Sequence, residues 1–400
     1  MTLRFFSVLT GIMASAVIIA ISPGWCGAPY SANGIGIVIP DNGVISSGMG
    51  GAGIANDDGK NFLRDNPAML AGFTAHTLSF GVEYNWNTMN TDEAGNLTYA
   101  KLISNQIKIV LPVMKGIVFG WGLSPYSRSE VVINIPDPEE RFTDKMTSTG
   151  GINISSVALA GSYRDIIRFG YALNYNFGMI QEDWTRKFTN SDEFGGMTNY
   201  IKKKYKGYSS TVSILVHLFD KMSVGIGYTS KADIEMNVLI RPKDISNKEH
   251  TFPKENVSLP ARWCFGITSE LSRRLSASMD LSYVLWEDAA VFPKEKEMYN
   301  DTYSFGAGMR LKPPLGLNLP FYQKIPVSAG FRFATIYYKS YPVVDTISEK
   351  AVTLGIEFPF MENNGSLISS FEYGIRGDKS INGWDETFMN VRFFFVGAIK

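Results

Sequence analysis

The stretch Thr77-Leu78-Ser79-Phe80-Gly81-Val82-Glu83-Tyr84-Asn85-Trp86-Asn87 decides the fold. Leu78, Phe80, Val82, Tyr84 and Trp86 alternate with Thr77, Ser79, Gly81, Glu83 and Asn85. One face is wholly apolar and aromatic; the other is small, polar or charged. Period-two alternation marks a strand held between two different environments. The run is also long. A sandwich strand usually has about five or six residues, whereas a tilted membrane strand needs roughly nine to eleven.

Working outward, the pattern recurs. Ile167, Phe169, Tyr171, Leu173, Tyr175, Phe177 and Met179 oppose Arg168, Gly170, Ala172, Asn174, Asn176 and Gly178. Val327, Ala329, Phe331, Phe333 and Tyr337 oppose Ser328, Gly330, Arg332 and Ala334, and Met389, Val391, Phe393 and Phe395 oppose Asn390 and Arg392. About fourteen such segments are legible, an even number as bacterial barrels require. They lie near 76–88, 103–113, 116–125, 152–163, 166–180, 208–219, 222–240, 257–270, 274–286, 301–312, 326–338, 350–360, 366–377 and 385–396. Alternate connections are short, among them Met114-Lys115, Arg164-Asp165 and Asp220-Lys221. The others are mostly long and polar: 126–151, 181–207, 241–256, 287–300 and 339–349. Short turns on one side and long loops on the other are the signature of a membrane barrel. The Pro- and Leu-rich connection 313–325 breaks that rule.

Composition agrees. In 400 residues, Lys plus Arg equals Asp plus Glu at 38 each, so no basic excess points to nucleic acid. Cys26 and Cys264 are the two cysteines, too few for a disulfide framework or a Cys-rich metal site. Arg4, the apolar run Phe5 to Ile21 and then Ser22-Pro23-Gly24 have the layout of a secretory signal peptide, assigned to residues 1–26 with cleavage near 24–28. An export signal without later helical spans leaves a soluble secreted protein or a barrel, and the periodicity selects the barrel, residues 76–400.

In a membrane barrel the apolar face meets lipid and the polar face the lumen. The inward face then carries Glu83, Lys108, Asp280, Glu357, Glu372 and Arg376 together with Arg168, Arg262, Arg310, Arg332 and Arg392. These charges are expected to pair with one another and with whatever fills the lumen. Those last five arginines are also candidate anchors for an anionic ligand head group, since a guanidinium fork donates two parallel hydrogen bonds to a carboxylate.

Residues 27–75 show no sustained alternation and are rich in Gly, Asn and Asp. A compact, loop-rich segment ahead of a barrel is placed to fold back as a plug. Gly48, Gly50 and Gly53 fit G-x-G-x-x-G, but that fingerprint needs a βαβ setting. Asn56-Asp57-Asp58-Gly59 follows instead.

At Ser47-Gly48-Met49-Gly50-Gly51-Ala52-Gly53-Ile54-Ala55-Asn56-Asp57-Asp58 and Asn66-Pro67-Ala68-Met69-Leu70 the chain resembles the hatch segment of the long-chain fatty-acid transporter family of FadL/TodX type. Ser258-Leu259-Pro260-Ala261-Arg262-Trp263, running on to Asp280-Leu281-Ser282-Tyr283 and Leu285-Trp286, is similar to a strand–turn–strand unit of that family. The resemblance implies a fourteen-strand outer-membrane barrel with an N-terminal hatch. It also implies uptake of a hydrophobic small molecule without energy input, an apolar pocket near the hatch and a sideways exit through the wall. Asn66, Pro67 and Ala68 match the hatch motif and would inherit its role. The expected surroundings are outer-membrane lipid and a hydrophobic ligand, with a monomeric barrel, no cofactor and no metal. The chain runs past its last aromatic residue to Val396-Gly397-Ala398-Ile399-Lys400, whereas many bacterial barrels end on the aromatic itself.

The third segment offers a local reason for a wall gap. Its inward face reads Gly116, Val118, Gly120, Gly122 and Ser124, and Pro125 then removes a ladder donor. A lateral opening beside Gly120, Gly122 and Pro125 and a simple accommodation of the plug both explain the glycines. Enzyme chemistry has little support. His217 falls on an inward face where a serine could meet it, but a nucleophile needs its base within hydrogen-bond reach. Three function classes therefore stand: hydrophobic-compound transporter, docking or secretion accessory on the same barrel, and open aqueous pore. A segment of this length inside the lumen opposes the last.

Overall fold

The computed structural model describes residues 31, 34–91, 95–137, 139, 141–189, 197–242, 250–289, 299–314, 320–340, 345–360 and 364–399. The assigned signal peptide, its cleavage site and Cys26 lie outside the described residues, as do 27–30, 32 and 33.

The described residues form a closed antiparallel barrel of fourteen strands. The first six are His76–Thr91, Gly95–Met114, Ile117–Pro136, Phe142–Tyr163, Ile167–Phe188 and Met197–Leu218. The seventh is made of Met222–Thr229 and Ala232–Pro242, and the eighth of His250–Thr251, Glu255–Leu259 and Arg262–Glu270. Leu275–Val284, Thr302–Leu311, Val327–Ser340, Asp345–Phe360, Gly365–Gly377 and Trp384–Ile399 complete the wall. The last strand pairs with the first, from Trp384↔Thr91 to Ile399↔His76. Closure leaves no free sheet edge to be satisfied by lipid, which cannot hydrogen-bond. Among the described residues no helix is long and apolar enough to cross a membrane.

Burial follows the alternation read from the sequence. On the fifth strand Phe169, Tyr171, Leu173 and Tyr175 are exposed, while Ala172, Asn174 and Asn176 are buried. The apolar side is therefore outside and the polar side inside, the reverse of a water-soluble barrel. Short turns close tightly: Arg164 and Asp165 both take φ near +55°, at φ 53 and φ 55, as a two-residue primed hairpin turn requires.

Two expectations need correction. Most described residues of the segments 126–151 and 181–207 are strand rather than loop. The third strand runs on to Pro136 and the fourth begins at Phe142, while the fifth runs on to Phe188 and the sixth begins at Met197. Ladder pairs continue from Ser127↔Ile152 to Pro136↔Thr143 and from Gln181↔Lys202 to Arg186↔Met197. Apolar and polar residues mix along these extensions, as in Val131-Val132-Ile133-Asn134 and Ile201-Lys202-Lys203-Lys204, so they lack the alternation that made the other strands legible.

Residues 34–73 lie against the inward faces of the wall. The turn Ser46–Gly48 packs on the strands Val327–Ser340, Asp345–Phe360 and Gly365–Gly377, and the 3-10 helix Pro67–Gly72 packs on the third to sixth strands. Wall glycines make the room. A Cβ at Gly170 would overlap the Ala68 amide, and one at Gly330 would overlap the Met49–Gly50 peptide. Gly50 itself has φ +67, a conformation that an L side chain resists.

Candidate functional site

Asn66 caps the Pro67–Gly72 helix. Its Oδ1 accepts from the Ala68 amide at 3.2 Å, and its Nδ2 donates to the Ile54 carbonyl. Pro67 at the first helical position costs no hydrogen bond there. The Ala68 amide also donates to Ser213 Oγ on the sixth strand at 2.9 Å. Asn66 and Ala68 are fully buried, so the three hatch-motif residues fix both the turn and its seat on the wall. Opposite them, Asp280 Oδ2 accepts from the Gly53 and Ile54 amides at 2.6 and 2.8 Å, and Gly50 N–H donates to Thr353 Oγ1 at 2.7 Å.

The five arginine candidates are all engaged. Arg168 pairs with Asp57, Arg262 with Asp65 at 2.7 Å, and Arg310 with Asp58 at 3.0 Å and Glu357 at 2.5 Å. These three tie the N-terminal segment to the wall. The other two join wall to wall. Glu386, Arg376, Glu349, Arg332, Glu372, Arg392 and Glu83 form a continuous chain of ion pairs with every link between 2.5 and 2.7 Å. Cations desolvated in this way hold position because each has a carboxylate partner.

Sequence reasoning placed Glu83, Glu357 and Glu372 inward but missed Glu349, Glu386 and the carboxylates of the N-terminal segment. Asp41, Asp57, Asp58 and Asp65 sit in the non-alternating segment, where no periodicity assigns them a face. Lys108 reaches Asp41 at 3.3 Å and donates to the Phe62 carbonyl at 2.6 Å. Burial alone would raise the Asp41 carboxyl, but Lys108, Arg64 and the Arg64 amide hold it below the usual carboxylate range. His217 does meet a serine, its Nδ1 lying 2.9 Å from Ser223 Oγ, with Nε2 3.2 Å from Asp57 Oδ2. The Asp57 carboxylate is shared with Arg168, so the group serves as an ion-paired anchor. The ring also presents Nδ1 to the serine and Nε2 to the acid, with the two nitrogens exchanged relative to the Ser-His-Asp triad.

The wall is parted between the second and third strands. Their ladder runs from Met114↔Ile117 to Ile107↔Leu123. Beyond it, among the described residues, no pair joins the two strands: of its wall neighbours the second keeps only the first, through 98–104 and 106, and the third keeps only the fourth, through 124, 125 and 127–135. The parting begins at Ser124-Pro125. The third strand carries a bulge between Pro125 and Ser127, and Tyr126, the extra residue, is buried in the lumen. Proline cannot donate to a ladder, and a bulge bends its strand. The freed edge is covered from inside. Ile37 and Val38 pair antiparallel with Arg128 and Ser127, Ile39 N–H donates to the Tyr126 carbonyl at 2.8 Å, and Ser31 Oγ donates to the Glu130 carbonyl at 2.9 Å. Side chains bridge the parting: Lys101 to Glu130 at 2.5 Å and Arg128 to the Ser104 carbonyl at 3.0 Å. Pro125 thus lies at the lower end of the seam. Gly120 lies on the paired portion, where a Cβ would come within 2.8 Å of Leu70, and a Cβ at Gly122 would meet Phe62 at 3.5 Å.

Above the Pro67–Gly72 helix the lumen is largely filled. Trp286 stacks on Tyr337 at 4.1 Å between centroids, beside Tyr299, Tyr205 and Ile35. The Tyr337 hydroxyl donates to the Gly36 carbonyl at 3.0 Å and accepts from the Ile35 amide at 3.2 Å. On either side of Ile37–Pro40 lie cavities of about 100 and 110 Å³. The first is bordered by Trp286 and Tyr337, the second by Lys101, Arg128, Glu83 and Arg392.

Three solved barrels share this fold. A Pseudomonas aeruginosa FadL homologue aligns with a TM-score of 0.58 at 11% identity over 90% of this chain and 99% of that one. The Pseudomonas putida toluene transporter TodX gives 0.60 at 12% over 89% and 98%. The Ralstonia pickettii toluene transporter TbuX gives 0.56 at 15% over 90% and 98%. At such identities the likeness is one of fold alone: a fourteen-strand antiparallel β-barrel. Comparison by sequence with curated proteins finds no match. A protein-family model described as BamG matches residues 2–396. The resemblance to the FadL/TodX type noted in the sequence therefore stands at the level of fold, and the family is a different one.

Proposed function

The chain belongs to the BamG family, and from its fold and the seam in its wall we propose that it is an outer-membrane barrel, plugged by residues 27–75, that passes hydrophobic small molecules sideways through its wall. The observation that carries this reading is the seam between the second and third strands, covered by Ile37–Val38 and latched by Lys101 and Glu130. A sideways route lets an apolar solute leave into the bilayer without crossing the polar lower lumen. The ligand class remains broad: fatty acids and aromatic hydrocarbons both suit an apolar route with a polar rim. Arg332 and Arg392 would bind a head group only by giving up present partners. Arg128 and Lys101, at the seam itself, are better placed to meet one. Uptake assays in cells test the reading, with labelled palmitate and toluene as probes. Ile39→Pro removes the amide that donates to the Tyr126 carbonyl and should raise uptake, while Lys101→Cys and Glu130→Cys joined by a short bis-maleimide should lower it. If neither change alters uptake, the transport reading is wrong.

The second reading is a docking or accessory protein on the same barrel. Two cavities of about 100 Å³ favour it, since small-molecule pockets usually span about 300–1,000 Å³. The paired arginines favour it too. Co-purification of a partner with the intact barrel, unaffected by the seam variants, would support this alternative.

A further inference from the structure

The outer wall carries a trough that the lumen does not explain. Two neighbouring rows of outward residues run round the barrel in register. One is Gly161↔Phe169↔Ile214↔Ile226, and the next is Leu159↔Tyr171↔Val212↔Tyr228↔Trp263. Short aliphatic side chains at Val212, Ile214 and Ile226 on the sixth and seventh strands form the floor. Phe169 and Tyr171 rise along one side. Tyr228 and Trp263, with ring centroids 4.5 Å apart, rise along the other. The depression has a volume of about 770 Å³, and its floor is aliphatic.

Its lower end leads to cations. Ile214 precedes the turn Phe219–Lys221 by five residues, and Phe169 follows Arg164 by five. At about 3.3 Å per residue that is roughly 16 Å of strand, close to the ~15 Å of one hydrocarbon leaflet. Lys221 and Arg164 are exposed at that level, Arg164 resting over the Tyr163 ring at 5.2 Å. Asp165, beside Arg164, lies 3.3 Å from Ser162 Oγ. An apolar trough lying about one leaflet's depth from exposed cations matches one occupant chemistry: an acyl chain whose far part lies in the trough and whose phosphate reaches the cations.

We propose that this trough binds one glycerophospholipid of the leaflet facing the short turns, its acyl chain between Tyr171 and Trp263 and its phosphate at Lys221 and Arg164. The site rests on the barrel spanning the membrane and not on the transport reading, so either can fail alone. Bulk lipid exchanges along a smooth wall, whereas aromatic sides around a recessed floor bury more of a chain and favour a resident molecule.

Native mass spectrometry of the full chain in mild detergent, titrated with phosphatidylethanolamine, tests the site. The wild type should retain one more phospholipid than Val212→Trp/Ile226→Trp, which fills the floor. Val352→Trp, an outward substitution on the far wall, should match the wild type. Lys221→Glu with Arg164→Glu should lower occupancy at least threefold for the phospholipid but not for diacylglycerol. Heat-modified gel mobility reports an intact barrel. Should the double tryptophan fail to fold, Ile214→Phe serves in its place. Equal retention in wild type and filled variants, or none in the wild type, overturns the site. An unchanged occupancy in the charge variant overturns the phosphate contact.

Discussion

Lys101 and Glu130 meet at 2.5 Å across a stretch of wall that has no backbone ladder. Elsewhere neighbouring strands are joined by rows of amide–carbonyl bonds. Here a side-chain pair and the Ile37–Val38 strand stand in for them. The pair is half exposed, and such bridges contribute about 0–1 kcal/mol. Lys101→Ala is therefore expected to leave the unfolding free energy within about 0.5 kcal/mol of wild type while increasing thiol labelling of a cysteine at Ser127. Unchanged labelling would mean that Ile37–Val38 alone closes the seam.

Gly170 faces the Ala68 amide with no room for a methyl group. Backbone cannot swing aside as a side-chain end can. Gly170→Ala should displace the Pro67–Gly72 helix and cost about 1–3 kcal/mol, read as an earlier unfolding transition. Gly397, with nothing within 4 Å of its would-be Cβ, supplies the control, and Gly397→Ala should be neutral.

Asp57 is shared by Arg168 and His217. Removing its charge leaves a desolvated guanidinium without its partner, a change that costs about 3–5 kcal/mol when the pair is buried. Asp57→Asn should approach that loss. Arg168→Met combined with Asp57→Leu should recover much of it, because the double variant buries no charge. A double-mutant cycle on thermal unfolding reads the coupling.

Asp41 gives the anchoring of the plug a pH dependence. Its carboxyl is held below the usual range by Lys108 and Arg64 despite burial. A group whose folded pKa is depressed stabilises fully above its unfolded value, about 3.9, and loses that contribution as pH falls through the lower folded value. Protease access to residues 34–73 should therefore stay flat at neutral pH and rise only as pH drops below about 4. Asp41→Asn should raise access at pH 7 and flatten the acid response.

How much of this was legible beforehand depends on what each residue touches. Thr77 to Asn87 announced a wall strand because lipid on one side and lumen on the other impose opposite chemistry at every second position. The same logic found the strand around Phe169 and Tyr171 and the one ending in Phe395. It failed at 126–151 and 181–207, where strands continue but apolar and polar residues mix and no period of two survives.

By itself the sequence determined the fold class, the inward placement of Arg332 and Arg392, and the bend at Pro125, since each follows from local periodicity or from a missing N–H. The tertiary structure alone decided that Asp57 faces Arg168, that Glu372 lies between Arg332 and Arg392, and that Ile37–Val38 covers the seam. These contacts join residues far apart in the chain, and their partners are set by barrel register and closure. No local pattern encodes them, because a carboxylate in a non-periodic segment has no face until the wall around it exists.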